Sequence, residues 1–284
     1  MMLENKTIVV TGGSLGIGLA VSKKCADEGA RVIIAARNRN DLEEALTELK
    51  RISRVDHQAY PLDVSRFEDV GKFAEWCSSN SAEINGLVNC AGIYGPIGRT
   101  DRIEMSEFRK TIEVNFLGTV YMCSTFAKLI KSDTRKKIVN YSGGGAASPF
   151  PNYSAYATSK IAIVRFTENL AIELADEGFD VNCVAPGFVI TRLHEETIRA
   201  GSDSAGKNFF ETTRKQIENG GVPAEKAAGL TALLLSSKSD GISGKFLSAP
   251  WDPWQEEDFQ ELLKSDKDFA TLRRIDNKAF HKKS

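Results

Sequence analysis

Residues 7–18 read TIVVTGGSLGIG, and this stretch decides the fold. A β-branched run at residues 7–10 stops at a glycine loop, which opens directly into a helical pattern beginning at Ile17. A strand followed by Gly12, Gly13, Ser14, Gly16, Ile17 and Gly18 is what a dinucleotide pyrophosphate needs. The requirements are a tight turn, bare amides close to the phosphates, and a helix N-terminus supplying positive potential. Glycine reaches the φ values of such a turn and removes the Cβ that would block approach.

Working outward, short β-branched runs alternate with longer helical stretches. Strands are expected at 7–10, 31–35, 56–60, 86–89, 137–141, 180–185 and 244–248. Helices are expected at 17–27, 41–50, 67–78, 105–130, 154–177 and 224–235. Continuously apolar strands such as IVV and VIIAA suit a parallel sheet covered on both faces. Crossover helices then imply right-handed βαβ units. The expected fold class is α/β: a Rossmann-type doubly wound parallel sheet, one domain with helices on both faces. That domain takes residues 1–250, with a substrate lid at 191–221, and residues 251–284 form a C-terminal extension.

Composition narrows the function classes. The 284 residues carry 37 Lys and Arg against 38 Asp and Glu, a formal net charge of −1. No basic surplus exists to neutralise nucleic-acid phosphates or to hold a membrane surface. With 42% hydrophobic and 26% charged residues, the chain reads as an ordinary globular protein. No stretch approaches the roughly 20 apolar residues of a membrane span, and the N-terminus lacks a signal-peptide core. Five scattered cysteines and three scattered histidines form no CxxC pair and no metal-ligand spacing. The expectation is buried reduced thiols, no structural metal, and a cytoplasmic protein.

The glycine spacing is TGxxxGxG, and here the chain resembles the short-chain dehydrogenase/reductase family. Further motifs follow in that family's order across residues 5–248. Asp63 and Val64 follow the third strand, where the resemblance implies an adenine contact. Asn89, Cys90, Ala91 and Gly92 resemble its NNAG segment, with cysteine in place of the second Asn. Asn115 stands in VNFLG, Tyr156 and Lys160 in YATSK, and Pro186, Gly187, Val189 and Thr191 in the PGxVxT segment. The resemblance implies that Asn89, Ala91 and Gly92 line the cofactor trough through their backbone. It also implies a homodimer or homotetramer.

The choice of cofactor turns on the end of the second strand. An acidic side chain there would bond the ribose 2′-hydroxyl and repel a 2′-phosphate. This chain has Ala36 and then Arg37, which can pair with a phosphate through charge-assisted hydrogen bonds. Leu15 lacks the second basic residue that many NADP-dependent members carry. NADP is therefore favoured, with NAD as the alternative.

Reducing a carbonyl creates an alkoxide that needs a proton as it forms. A tyrosine must be tuned from its ordinary pKa, about 10, to supply it. Lys160, four residues after Tyr156 on a helix, shares its face and can stabilise the phenolate. Through the resemblance, Lys160 also holds the nicotinamide ribose, and Asn115 props open a helix turn and holds a water in the proton relay. The alternative for Asn115 is an amide that caps an irregular helix. The family's substrate-orienting serine aligns by spacing with Gly143, and Ser142 stands one residue earlier. A lengthened glycine loop would bring Ser142 into the role; otherwise the site has lost its serine. Tyr153 has Ala157 where a lysine would be needed, which points to packing or substrate contact.

The lid region mixes Arg192, His194, Arg199, Lys207, Arg214 and Lys215 with Glu195, Glu196, Asp203, Glu211 and Glu218. In the extension, Phe259, Leu262 and Leu263 make an amphipathic helical face, and Trp251 and Trp254 are costly to leave in water. The extension is expected to cover the substrate cleft of its own subunit or a neighbour. The leading reading is an NAD(P)-dependent oxidoreductase that interconverts a small-molecule carbonyl and an alcohol, with Tyr156 as general acid and base. Its rival is a catalytically silent NADP-binding regulatory or scaffold protein.

Overall fold

Alternate residues of β1 (Thr7–Thr11) feed two separate cores, and the rest of the architecture follows from this. Ile8 and Val10 point into one layer and Val9 into the other. The computed structural model describes residues 1–80, 83–132 and 134–274. After β1 come α1 (Gly16–Asp27), β2 (Arg31–Ala36), α2 (Arg39–Ile52), β3 (Gln58–Pro61), α3 (Phe67–Asn80) and β4 (Gly86–Asn89). The second half runs α4 (Met105–Ile112), α5 (Gly118–Phe126), β5 (Lys136–Tyr141), α6 (Ser154–Glu173) and β6 (Phe179–Ala185). It ends with α7 (Arg192–Ala205), α8 (Lys207–Glu218), α9 (Ala224–Leu235), β7 (Phe246–Ser248) and α10 (Glu257–Ser265).

The seven strands pair in the order β3-β2-β1-β4-β5-β6-β7, and every pair is parallel. From β1 the chain winds outward to β3, and from β4 it winds the other way to β7. The order reverses between β1 and β4, so a crevice opens at their C-terminal ends. One core packs Val10, Ile34, Val88 and Val139 under α1, α2 and α9. The other packs Val9, Ile33, Leu87 and Ile138 against Phe73, Phe126 and Leu170. This is the doubly wound parallel sheet read from the sequence.

Several boundaries differ from the sequence reading. The helix expected over 105–130 is broken by a π turn, Glu113–Leu117, and ends at Phe126. Ile130 instead forms an isolated bridge with Ile84. The helix expected to reach residue 177 stops at Glu173, and Gly178, at φ +78°, turns the chain into β6. The lid folds as two helices, with α7 kinked at Gly201, where φ is +76°.

The C-terminal extension folds on its own chain. Leu263 is buried in the core layer that also holds α1 and α9 residues, and Trp254 donates its indole N–H to the Ala249 carbonyl at 3.0 Å. The Phe246 amide donates to the Ala270 carbonyl at 2.8 Å, and Arg273 reaches Glu168 on α6 at 2.8 Å. The described part of the extension thus lies along β7 and α6 of its own chain, and Leu272, Arg273 and Arg274 border a groove with residues 145–149 of the loop before α6. The buried Leu263 face and the free edge of β7 draw it there. Trp251 does not share in this packing and is 81% exposed. Residues 275–284 of the expected extension lie outside the described residues. Among the described residues, no helix is long and apolar enough to cross a membrane.

Candidate active site

The glycine loop between β1 and α1 is held by contacts that only glycine permits. Gly12 has φ +65°, and a Cβ there would stand 2.9 Å from the backbone of Ala91. A Cβ on Gly18 would collide with the Gly12 carbonyl, so α1 can pack tightly under the loop only without one. The Thr11 hydroxyl accepts from the Cys90 and Ala91 amides at 3.2 and 3.4 Å, fixing the β1 and β4 loops side by side. No side chain caps the N-terminus of α1, so its first amides face the crevice.

These loops enclose a cleft of about 790 Å³. It brings together the predicted Gly12, Ser14, Gly16, Ile17 and Gly18 from the first turn, and Arg37 from the end of β2. Asp63 and Val64 after β3, Ala91 and Gly92 after β4, and Thr191 after β6 complete the predicted lining. Glycine-floored and abutting a helix N-terminus, the cleft fits a dinucleotide. Arg37 is exposed and makes no ion pair among the described residues. Asp63 accepts from the amide and the hydroxyl of Ser65, at 3.0 and 2.7 Å.

Other predicted residues are placed differently. Asn89 turns its side chain into the protein interior, donating to Asn140 at 2.9 Å and lying 3.2 Å from the Cys123 sulfur. Its position ties β4 to β5 and does not line the cleft. Pro186, Gly187 and Val189 stand behind the cleft wall: Val189 is buried, and Gly187, at φ +80°, backs onto Pro250. They shape the turn that presents Thr191.

Tyr156 and Lys160 project from the first turns of α6, both buried. The Lys160 ammonium donates to the Tyr141 carbonyl at 3.0 Å and lies 5.5 Å from the centre of the Tyr156 ring. Burial lowers the Lys160 pKa, and burial, with Cys90 nearby, raises that of Tyr156 well above the ordinary phenol value. The expected lowering of the tyrosine by its lysine is not seen in this arrangement, where desolvation sets the direction. Cys90, pushed up to about 12 by burial, stays a neutral thiol.

Asn115 is fully buried inside the π turn, a departure from α-helix that frees its amide for tertiary bonds. Its oxygen accepts from the Ile93 amide at 2.8 Å, and its nitrogen donates to the Ile93 carbonyl and the Ser159 hydroxyl, both at 2.9 Å. Both ends of the amide are thus spent on the β4 loop and α6. Gly92 lies between Asn115 and Lys160, where a Cβ would come within 3.4 Å of both.

Ser142 does not reach the site. Its hydroxyl donates to the main-chain carbonyl of Lys160 at 3.1 Å, and its amide continues the ladder to Val184. Gly143 is the residue that faces the tyrosine, for a Cβ added there would collide with the Tyr156 hydroxyl. The glycine loop is not lengthened so as to deliver Ser142, and the serine position is held by glycine.

Sequence reasoning missed part of the surroundings of Tyr156 and part of the cleft lining. Tyr94 lies edge-on to Tyr156, with ring centres 4.7 Å apart, and also meets Tyr153 and His194. Its signal was its place on the loop just beyond the C-terminal end of β4. Tyr153 stacks on Phe150 at 4.3 Å and donates to Thr197 at 2.9 Å, which is a packing role under the lid. Burial pushes His194 down to about 4, so it is neutral near pH 7. Arg192 on the lid reaches Asp41 on α2 at 3.6 Å, across the mouth of the cleft. Both line the cleft, together with Leu62, Ile93 and Glu196.

The sheet order, the glycine turn and the tyrosine–lysine pair beside the cleft, behind Gly92, define a dinucleotide-binding α/β protein. Comparison with known proteins narrows this. The short chain dehydrogenase family profile matches residues 6–201. YxbG, an uncharacterised oxidoreductase of Bacillus subtilis, is 29% identical over 248 residues, covering 87% of this chain and 90% of its own. Dehydrogenase/reductase SDR family member 4 of Caenorhabditis elegans is 30% identical over 249 residues, covering 86% and 93%. Among solved structures, NAD⁺-bound xylitol dehydrogenase superposes with a TM-score of 0.80 at 24% identity, over 87% of this chain and 98% of that one. The chain belongs to the short-chain dehydrogenase/reductase family. It is an oxidoreductase acting on CH–OH groups, and its family uses NAD(P). Nothing in the comparisons favours a silent scaffold.

Proposed function

We propose that this protein interconverts a ketone or aldehyde and the corresponding alcohol with NADP, and that Tyr156 exchanges the proton. The observation that carries this reading is the buried Tyr156 hydroxyl against the bare backbone of Gly143, on the same helix face as Lys160. Bound in the cleft, a reduced nicotinamide supplies the hydride. Gly12, Ser14, Gly16, Ile17 and Gly18 would hold its pyrophosphate, Asp63 and Val64 its adenine, and Thr191 its nicotinamide end. Lys160 would hold the adjoining ribose. Tyr156 gives its proton to the carbonyl oxygen as that oxygen becomes an alkoxide, and takes one back in the oxidation direction. Burial by Tyr94, Phe150 and the lid excludes water from the hydroxyl.

NADP is favoured over NAD by Arg37, which lines the cleft at the end of β2 and pairs with no acidic group among the described residues. The reading extends to a homodimer or homotetramer in the reducing cytoplasm, supported by the five free cysteines and the family's habits. Oxidation of NADPH, followed across a panel of ketones, aldehydes and sugars, tests it. Turnover with at least one carbonyl and loss of that turnover in Tyr156→Phe are expected. Turnover unchanged in Tyr156→Phe would refute it.

A further inference from the structure

A carbonyl oxygen that gains negative charge is best stabilised by more than one donor aimed at it. Tyr156 is one donor, and the serine position holds Gly143, where no side chain fits beside the Tyr156 hydroxyl. The other hydroxyls around Tyr156 are committed elsewhere: Ser142 to the Lys160 carbonyl, Ser159 to the Tyr156 carbonyl at 2.6 Å, and Tyr153 to Thr197. Tyr94 is the exception. Its ring stands at 88° to that of Tyr156, it is 4% exposed, and its hydroxyl bonds no described residue. The chain beside it is closely packed. The next residue, Gly95, has φ +73°, and a Cβ there would collide with the Thr111 hydroxyl on α4.

We propose that Tyr94 is a catalytic residue whose hydroxyl donates the second hydrogen bond to the substrate oxygen, in the place of the absent serine. The inference rests on the carbonyl–alcohol reading above. During reduction by a nicotinamide cofactor, the Tyr156 O–H bond breaks and its proton goes to the substrate oxygen. Tyr94 keeps its proton and holds the oxygen as carbonyl, alkoxide and alcohol. Burial also raises the Tyr94 pKa, so the group stays a donor at every working pH.

Tyr94→Phe tests this, because the ring and its aromatic contacts remain and only the hydroxyl leaves. With cyclohexanone and NADPH as probes, kcat should fall roughly 10²-fold, the cost of one oxyanion donor. The NADPH Kd, read by fluorescence titration, should stay within about twofold, as should kcat in the control Tyr153→Phe. In crystals of the wild type soaked with NADP⁺ and cyclohexanol, the alcohol oxygen should lie at roughly 2.6–3.2 Å from both phenol oxygens. An oxygen bonded to Tyr156 alone, or to Tyr156 and His194, overturns the proposal, as does a Tyr94→Phe variant retaining more than about half of kcat. If the soaked oxygen sits between the two phenols but no carbonyl compound is ever reduced, the carbonyl–alcohol reading fails and the placement of Tyr94 stands.

Discussion

Ser142 and Lys160 are joined side chain to main chain: the serine hydroxyl donates to the lysine carbonyl at 3.1 Å, stitching the end of β5 to the second turn of α6. The bond fixes the helix that carries Tyr156, and the hydroxyl is 3% exposed with its residue. Ser142→Ala should therefore act on stability, by about 1 kcal/mol, the usual worth of one buried hydrogen bond. Its kcat should stay near that of the wild type, while Tyr156→Phe falls roughly 10²–10⁴-fold. Denaturant midpoints and steady-state kinetics on both variants separate the roles. A collapse of kcat in Ser142→Ala without loss of stability would return the serine to the chemistry.

Arg37 offers a test of cofactor choice. Arg37→Asp places a carboxylate at the adenosine end of the cleft, where it repels a 2′-phosphate and accepts from a 2′-hydroxyl. NADPH affinity should drop tenfold or more, by about 1.4 kcal/mol or above, while NADH affinity holds or improves. Parallel titrations of the two cofactors decide it; equal losses would show that Arg37 does not read the phosphate.

A buried charge cluster at the other end of the sheet predicts a stability effect. Lys137 donates to Asp180 at 2.8 Å and pairs with Asp240 at 2.7 Å, and Arg135 adds a 2.7 Å bond to Asp180. Asp180→Ala leaves the buried Lys137 with the part-exposed Asp240 as its remaining carboxylate, beside the Ser239 hydroxyl at 3.3 Å, at a cost of about 3–5 kcal/mol. The double change Lys137→Met, Asp180→Leu should recover most of that loss. Thermal unfolding of the two variants is the measurement.

His57 makes folding sensitive to acid. Its Nδ1 accepts from the Val32 amide at 3.2 Å, so the proton sits on Nε2, which donates to the Ser53 hydroxyl at 2.8 Å. Burial lowers its pKa below the ordinary 6.5. The unfolded chain then binds the proton more readily than the folded one. The stability contributed by the neutral ring is complete above pH 6.5 and is lost as pH falls from there towards the folded pKa. Urea midpoints compared at about pH 7.5 and pH 5 should differ less in His57→Gln than in the wild type. An unchanged difference would assign the acid sensitivity to other groups.

The parts of the fold legible in sequence are those where a steric or periodic demand acts on neighbouring residues. Gly12 and Gly18 announce the turn because no other residue fits, and Tyr156 and Lys160 announce a shared helix face through their spacing. Ser142 was not legible. Where a strand ends, a shift of one residue reverses the face a side chain takes, and no local pattern says which face survives. Tyr141 points to Thr231 under α9, at 2.7 Å, so Ser142 turns the other way, towards α6. Tyr94 was hidden for a different reason: it stands on a loop without period, and only the third dimension brings it to Tyr156. In the extension, the Phe259 and Leu263 face was readable, but its partner surface was not.

The bond from Phe246 to Ala270 has a consequence for how the sheet meets its surroundings. An exposed outermost strand is a template on which a foreign strand can add itself, and repeated addition ends in aggregates. Here the outer rim of β7 is already occupied by a segment of the same chain, with the Lys245 ammonium clamping the Asp266 and Phe269 carbonyls at 2.7 and 3.0 Å. At the opposite rim, β3 is short and finishes at Pro61, which has no amide hydrogen to offer. Both rims thereby offer less to a recruited strand than a long, bare outermost strand would.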